Sequence, residues 1–272
     1  MIMNTNEISG KRQMEFLAGF DYIREAGTAG EEKAAALIQE TLSSFGVESR
    51  LEEFSFDTFQ IKKAKLTITE PYTKEYTVTG YGRCANTAED GLKAPFVYAE
   101  NGDDISLAQV KGKIVMVNDP VRKDMYQKLV KAGAVGFISI AGSPLDEGVD
   151  LIPRAYGLPK NLPGEEKKAA GKEAQNYDNR IPGVSIHYKD AIELVTKGAS
   201  QACLVVEQET VTRTSRNVVA QIEGTDKAEE ILTLTAHYDS VQEGPGAYDN
   251  MSGGAIIMEL CRYFQAHRPR RT

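Results

Sequence analysis

The residues best placed to do chemistry lie in Ala236-His237-Tyr238-Asp239-Ser240 and in Gly244-Pro245-Gly246-Ala247-Tyr248-Asp249-Asn250-Met251-Ser252-Gly253-Gly254. If His237 ends an apolar strand at Ile231–Ala236, then His237 and Asp239 fall two apart and face the same side. A carboxylate beside an imidazole accepts its second N–H and so fixes which ring nitrogen faces a metal. The glycine-rich loop then turns the chain and presents Asp249 before a helix N-terminus. The C-terminal edge of an α/β sheet is where strand-end histidines and loop aspartates usually meet ligands. Each piece also has a plainer reading. An isolated His-x-Asp is an ordinary surface pair, and Asp249-Asn250-Met251-Ser252 is a turn and helix cap.

The elements that must position these groups read as an α/β protein. A helix is expected from Thr28 to Phe45, with a capping box at Thr28 and Glu31 and Gly46 as its left-handed terminator. A weaker helix precedes it, with Phe16, Phe20 and Ile23 on one side. Strands are expected at Val47–Phe59, Lys65–Glu70 and Tyr76–Tyr81. Lys113–Val117, Lys123–Lys131 and Ala134–Ile140 read as strand, helix and strand, which implies a parallel pair joined by a crossover. Ser143 to Asn179 is polar and rich in Gly, Pro, Lys and Glu, as in an exposed loop. Then come a strand at Ile181–Ile186, a helix near Asp190–Thr196, strands at Ala202–Glu207, Asn217–Ile222 and Ile231–Ala236, and a helix from Ser252 through Phe264.

Composition narrows the function classes. Among 272 residues, 32 Lys and Arg against 39 Asp and Glu give a net charge of −7. A nucleic-acid phosphate tracker needs a cationic stripe, and Arg268, Arg270 and Arg271 are too few to make one, so no nucleic-acid partner is expected. Cys84, Cys203 and Cys261 are odd in number and widely spaced, which suits free thiols better than a disulfide framework. Met1 to Lys11 is polar, with no apolar run behind a basic start, and no stretch reaches 18 apolar residues. The expectation is a cytoplasmic chain with no membrane partner.

Taken together, the His-to-Asp segment resembles the zinc-dependent aminopeptidase family that also includes glutamate carboxypeptidase and the transferrin receptor ectodomain. The resemblance implies that His237 binds one metal and that Asp249, twelve residues later, bridges two zinc ions. It assigns Asp239 to the catalytic machinery as the residue that orients the histidine, and it implies a cis peptide at Asp249-Asn250. Arg24-Glu25-Ala26-Gly27-Thr28-Ala29-Gly30-Glu31 resembles the family's lead-in to its first long helix. Val110–Val115, Lys131–Gly136 and Ile181–Ile186 resemble markers of a protease-associated domain. The implied organisation is a partial peptidase α/β/α sheet domain at 1–90 and 211–272, incomplete at the C-terminus, with a protease-associated α/β domain inserted at 91–210.

The implied function is zinc-dependent exopeptidase chemistry, as an aminopeptidase acting on a peptide substrate with two zinc ions in the complete enzyme. Members of the family complete the site with an adjacent Glu pair, an Asp and a His, all downstream of the helix that starts near Ser252. His187 reads as a loop residue, His267 is too far along that helix, and Glu259 decorates or packs it. Two protein ligands are too few, since catalytic zinc takes three plus water. The expectation is therefore an N-terminal portion of a longer peptidase, inactive alone, with a complementing C-terminal chain or a homo-oligomer left open. Carboxypeptidase activity is an open alternative to aminopeptidase activity. So is a non-catalytic protein- or peptide-binding relative of the scaffold.

Overall fold

Three short apolar runs, β5 (Ile114–Val117), β6 (Gly136–Ala141) and β7 (Gly183–His187), are buried at every residue. Continuous burial of that kind belongs to parallel strands covered on both faces. The computed structural model describes residues 7–118, 120–143, 145, 156–162, 177 and 179–272. Most of the expected loop from Ser143 to Asn179 lies outside the described residues. Contacts divide the chain into two units, Met1–Phe56 with Thr212–Thr272, and Asp57–Val211.

In the Asp57–Val211 unit, β4 (Leu92–Tyr98), β5, β6 and β7 run parallel, with Val97 opposite Val115, Val115 opposite Phe137 and Ile138 opposite Val184. The connection from β5 to β6 is helix α3 (Lys123–Lys131), which buries Tyr126 and Leu129. Strands β1 (Ser49–Glu70) and β8 (Gln201–Ala220), with the short β2 (Lys74–Tyr76) and β3 (Val78–Gly80), complete a mixed sheet in the order β2-β1-β8-β4-β5-β6-β7-β3. This is the α/β class that the sequence implies. Helix α4 (Tyr188–Thr196) follows β7 directly. His187 is not the loop residue expected. It is buried at the end of β7, and its Nδ1 accepts the Lys189 N–H at 3.3 Å, capping α4.

The fully buried Phe137 ring is wedged edge-on against Tyr81 and Tyr126, at centroid distances of 4.9 and 5.9 Å. A Cβ on Gly183 would stand 2.1–2.4 Å from three atoms of that ring. Gly183→Ala must therefore displace a ring that has nowhere to go. The expected cost is about 1–3 kcal/mol of stability, read as a lowered urea midpoint. An unchanged midpoint would show that the ring moves freely.

The other unit is built on α1 (Gly10–Ala18), α2 (Ala29–Ser44) and α5 (Ser252–Ala266). Phe20, Ala34, Ile38, Leu42, Val47, Met251 and Met258 form its core. Helix α2 starts after Thr28 as expected, but the capping box is not made. The Thr28 hydroxyl donates to the Glu25 carbonyl, and the Glu31 carboxylate accepts the N–H of Gly27 instead. Gly46 ends the helix region at φ +74°, where a side chain would be strained. Glu259 does more than decorate α5. It is buried and accepts from Arg12, Arg262 and the Ser9 N–H, tying α1 to α5.

The expected strand at Ile231–Ala236 is not formed. Alternating apolar residues make a strand only where a neighbour completes the ladder, and among the described residues none pairs with this segment. Ile231, Leu232 and Leu234 are accordingly 73%, 69% and 48% exposed. Its first residues are held otherwise, by Leu232 N–H to the Thr272 carbonyl at 2.7 Å. The nearby arginines are neutralised, Arg270 by Asp226 and Arg271 by Glu230. All three cysteines are free thiols, and no helix among the described residues is long and apolar enough to cross a membrane.

Candidate metal centre

His237, Asp239 and Asp249 come together in the Met1–Phe56/Thr212–Thr272 unit. The His237 ring stands between the two carboxylates, with Nδ1 3.0 Å from Asp239 Oδ1 and Nε2 3.0 Å from Asp249 Oδ1. The side chains are 54%, 43% and 81% exposed, so the pair His237 and Asp249 is open to a ligand from solvent.

Local backbone explains how Asp249 reaches the ring. Gly246 adopts the left-handed conformation at φ +56°, and a Cβ there would sit 2.6 Å from the Asp249 carbonyl. The chain then makes a tight turn over Ala247–Met251, closed by Met251 N–H to Gly246 C=O, with a cis bond at Asp249-Asn250. Helix α5 begins after Met251 without any side-chain cap, so the Asp249 carboxylate is not used as one. The small residues at the helix start permit close approach, since a Cβ on Gly253 would lie 2.5 Å from Asn250 Oδ1 and 3.2 Å from the Ala236 Cβ.

Tyr238 lies between the two site residues and is held at both ends. Its carbonyl accepts from Arg24 Nε at 2.5 Å, and its hydroxyl is shared between Glu31 Oε1 at 3.0 Å and the Arg216 carbonyl at 2.6 Å. Burial, and then the negative charge of Glu31, push the Tyr238 phenol above its ordinary range. Glu31 is buried and also accepts from the Ser215 hydroxyl at 2.6 Å and the Arg216 N–H at 3.2 Å. Arg24, Glu31 and Tyr238 are the functional supports that the sequence reading did not assign. The available signal was two opposite charges seven residues apart around Gly27, ahead of an apolar helix.

The donor set suits zinc as far as it goes. Nitrogen and oxygen ligands about 2.0–2.2 Å from a tetrahedral zinc lie roughly 3.3–3.6 Å from each other. His237 Nε2 and Asp249 Oδ1 are 3.0 Å apart, a hydrogen-bond distance that would have to open by a few tenths of an ångström to admit an ion, and Asp239 holds the other ring nitrogen as an outer partner does. Among the described residues, no group of three or more His, Cys, Asp or Glu side chains could hold a metal ion.

Residues 217–272, which carry all three site residues, match the family model described as peptidase family M28. Aminopeptidase YwaD of Bacillus subtilis is 28% identical over 256 residues, which is 89% of this chain and 48% of that protein. Carboxypeptidase Q of Mus musculus is 25% identical over 260 residues, 92% of this chain and 53% of that one. The chain thus spans about half the length of the curated relatives it matches. A solved structure of BSAP, a zinc aminopeptidase from Bacillus subtilis, superposes with a TM-score of 0.70 at 24% identity. It covers 95% of this chain and 58% of that one, a likeness that shows the fold.

Proposed function

We propose that this chain carries part of the metal site of a zinc-dependent exopeptidase acting on peptides, an aminopeptidase in reaction class. The observation that carries this reading is His237 held between Asp239 and Asp249 at 3.0 Å on each ring nitrogen. With Asp239 accepting from Nδ1–H, the Nε2 lone pair on the Asp249 side would be left for a metal. Asp249 offers a carboxylate whose second oxygen is free to reach another ion, which suits a two-zinc centre. Zinc, when bound, polarises the peptide carbonyl and activates a water for attack on it. Two donors do not complete such a centre, so the reading places the remaining ligands and the general base outside the described residues. In this reading the inserted protease-associated domain is residues 91–210, which lie within the Asp57–Val211 unit.

The test is zinc retained after dialysis, together with hydrolysis of an aminoacyl anilide, by the protein as its own cell makes it. His237→Ala is expected to weaken zinc by more than the 10–100-fold that even an outer partner is worth, and to abolish hydrolysis. Equal zinc content and equal hydrolysis in the variant would sink the metal reading. A wild-type protein that binds peptide but neither holds zinc nor cleaves would favour the non-catalytic relative instead.

A further inference from the structure

Among the described residues no strand pairs with the segment that carries His237 and Asp239, yet the Asp239 and Asp249 carboxylates both stand at hydrogen-bond distance from the His237 ring. The site requires this segment to be held in register with the loop that delivers Asp249. Arg24 makes contacts suited to that task. Its side chain is fully buried, and every hydrogen bond from its guanidinium ends on a backbone carbonyl. Nε donates to Tyr238, Nη2 to Gly246 at 3.1 Å, and Nη1 to Pro245, Phe20 and Tyr22. The Arg24 backbone adds a second clasp. Its N–H donates to Ser240 Oγ at 2.9 Å, and its carbonyl accepts the Ser240 N–H at 3.1 Å.

The contacts bracket the site. Tyr238 and Ser240 flank Asp239, and Pro245 and Gly246 begin the turn that ends at Asp249. A planar fork with five N–H donors can satisfy carbonyls on two segments at once, which the three donors of an ammonium cannot do with the same geometry. Gly30 lets helix α2 close on this arginine, since a Cβ there would lie 2.2 Å from the Ile23 carbonyl and 3.0 Å from the Arg24 Cα. We propose that Arg24 is a positioning residue for the metal centre, a buried cationic clamp that holds the 237–240 segment and the 244–249 turn together. The clamp geometry stands by itself, and its consequence for zinc rests on the metal reading of His237 and Asp249.

The experiment compares the full chain with Arg24→Gln, Arg24→Lys, Arg24→Ala and Leu42→Ala. Leu42 lies in the core of the same unit and is not among the groups Arg24 bonds, so its variant controls for simple loss of stability. The first readout is amide hydrogen exchange of residues 237–250 without metal. Exchange there should speed up 10-fold or more in Arg24→Gln and less in Arg24→Lys, with α2 unchanged. Leu42→Ala, a change within α2 itself, should not speed exchange at the site more than in α2. The second readout is zinc affinity by competition with a chromophoric chelator, expected 10–100-fold weaker in Arg24→Gln. Millimolar methylguanidinium should restore part of both in Arg24→Ala. If Arg24→Ala does not fold, the Gln and Lys variants decide. Site exchange within twofold of wild type in both, or an equal selective loss in Leu42→Ala, overturns the clamp whatever the metal does. If the clamp variants behave as expected in exchange but His237→Ala binds zinc normally, the metal reading fails and the clamp survives.

Discussion

Alanine at position 31 is expected to destabilise the Met1–Phe56/Thr212–Thr272 unit by about 3–5 kcal/mol, read as a large fall in its urea midpoint at constant slope. The Glu31 carboxylate is 1% exposed and accepts from the Gly27 N–H, the Ser215 hydroxyl, the Arg216 N–H and the Tyr238 hydroxyl. Removing the acceptor does not remove the donors. A buried donor left without a partner costs about 1–3 kcal/mol, because its water has already been given up. The Tyr238 hydroxyl retains the Arg216 carbonyl, so three donors carry most of the loss. Glu31→Gln keeps one acceptor oxygen but turns an amide N–H₂ toward a donor, and should fall between alanine and wild type. An alanine variant within 1 kcal/mol of wild type would mean that water reaches these groups.

That result would bear on function as well as stability, because Glu31 and Arg24 act on the same residue from opposite sides. The carboxylate holds the Tyr238 phenol, and the guanidinium holds its carbonyl. Metal-site geometry depends on outer partners of this kind, which lock the rotamers and backbone of the groups that touch the ion. An exposed pair such as His237 and Asp249 has little packing of its own to fix it. Its precision must come from the buried charges beneath it.

How much of this was legible in the sequence depended on distance along the chain. Helix α3 occupies Lys123–Lys131 as read, and the parallel pairing of β5 with β6 follows from two apolar runs with a helix between them. The His237, Asp239 and Asp249 cluster was visible because its spacing is local, within twelve residues. By contrast, β1 and β8 were each read as two strands. Their middles, at residues 60–64 and 208–216, are polar but contain no Gly or Pro, and polar residues on an exposed face do not break a strand. Ile231–Ala236 failed in the opposite direction. Its alternation is strand-like, but pairing is a property of neighbours and not of the segment. Arg24 and Glu31 escaped assignment because each meets its site partners from more than 200 residues away, at Tyr238. Nothing in a single sequence marks a charge as buried.

Acid should expose a second buried carboxylate, Glu259, through the pH dependence of stability. Burial alone would push this carboxyl up, but the hydrogen bonds from Arg12, Arg262 and the Ser9 N–H outweigh it and bring it from 4.5 down to about 2. Since the folded carboxyl titrates below the unfolded one, its contribution is complete above about pH 4.5 and is lost as the pH falls through about 2. At about 1.4 kcal/mol per pH unit the displacement corresponds to a ceiling of about 3 kcal/mol. Arg12 is 45% exposed, so solvent screening should bring the effect nearer 2 kcal/mol. Glu259→Gln isolates this group from the other carboxylates, because they titrate alike in both proteins. The stability gap between wild type and Glu259→Gln, measured by urea unfolding, should be widest near neutral pH and close between pH 4.5 and 2. Any gap left at pH 2 reports packing and neutral hydrogen bonds alone. A gap of constant size across that window would mean that the Arg12–Glu259–Arg262 cluster joins α1 to α5 by shape and not by charge.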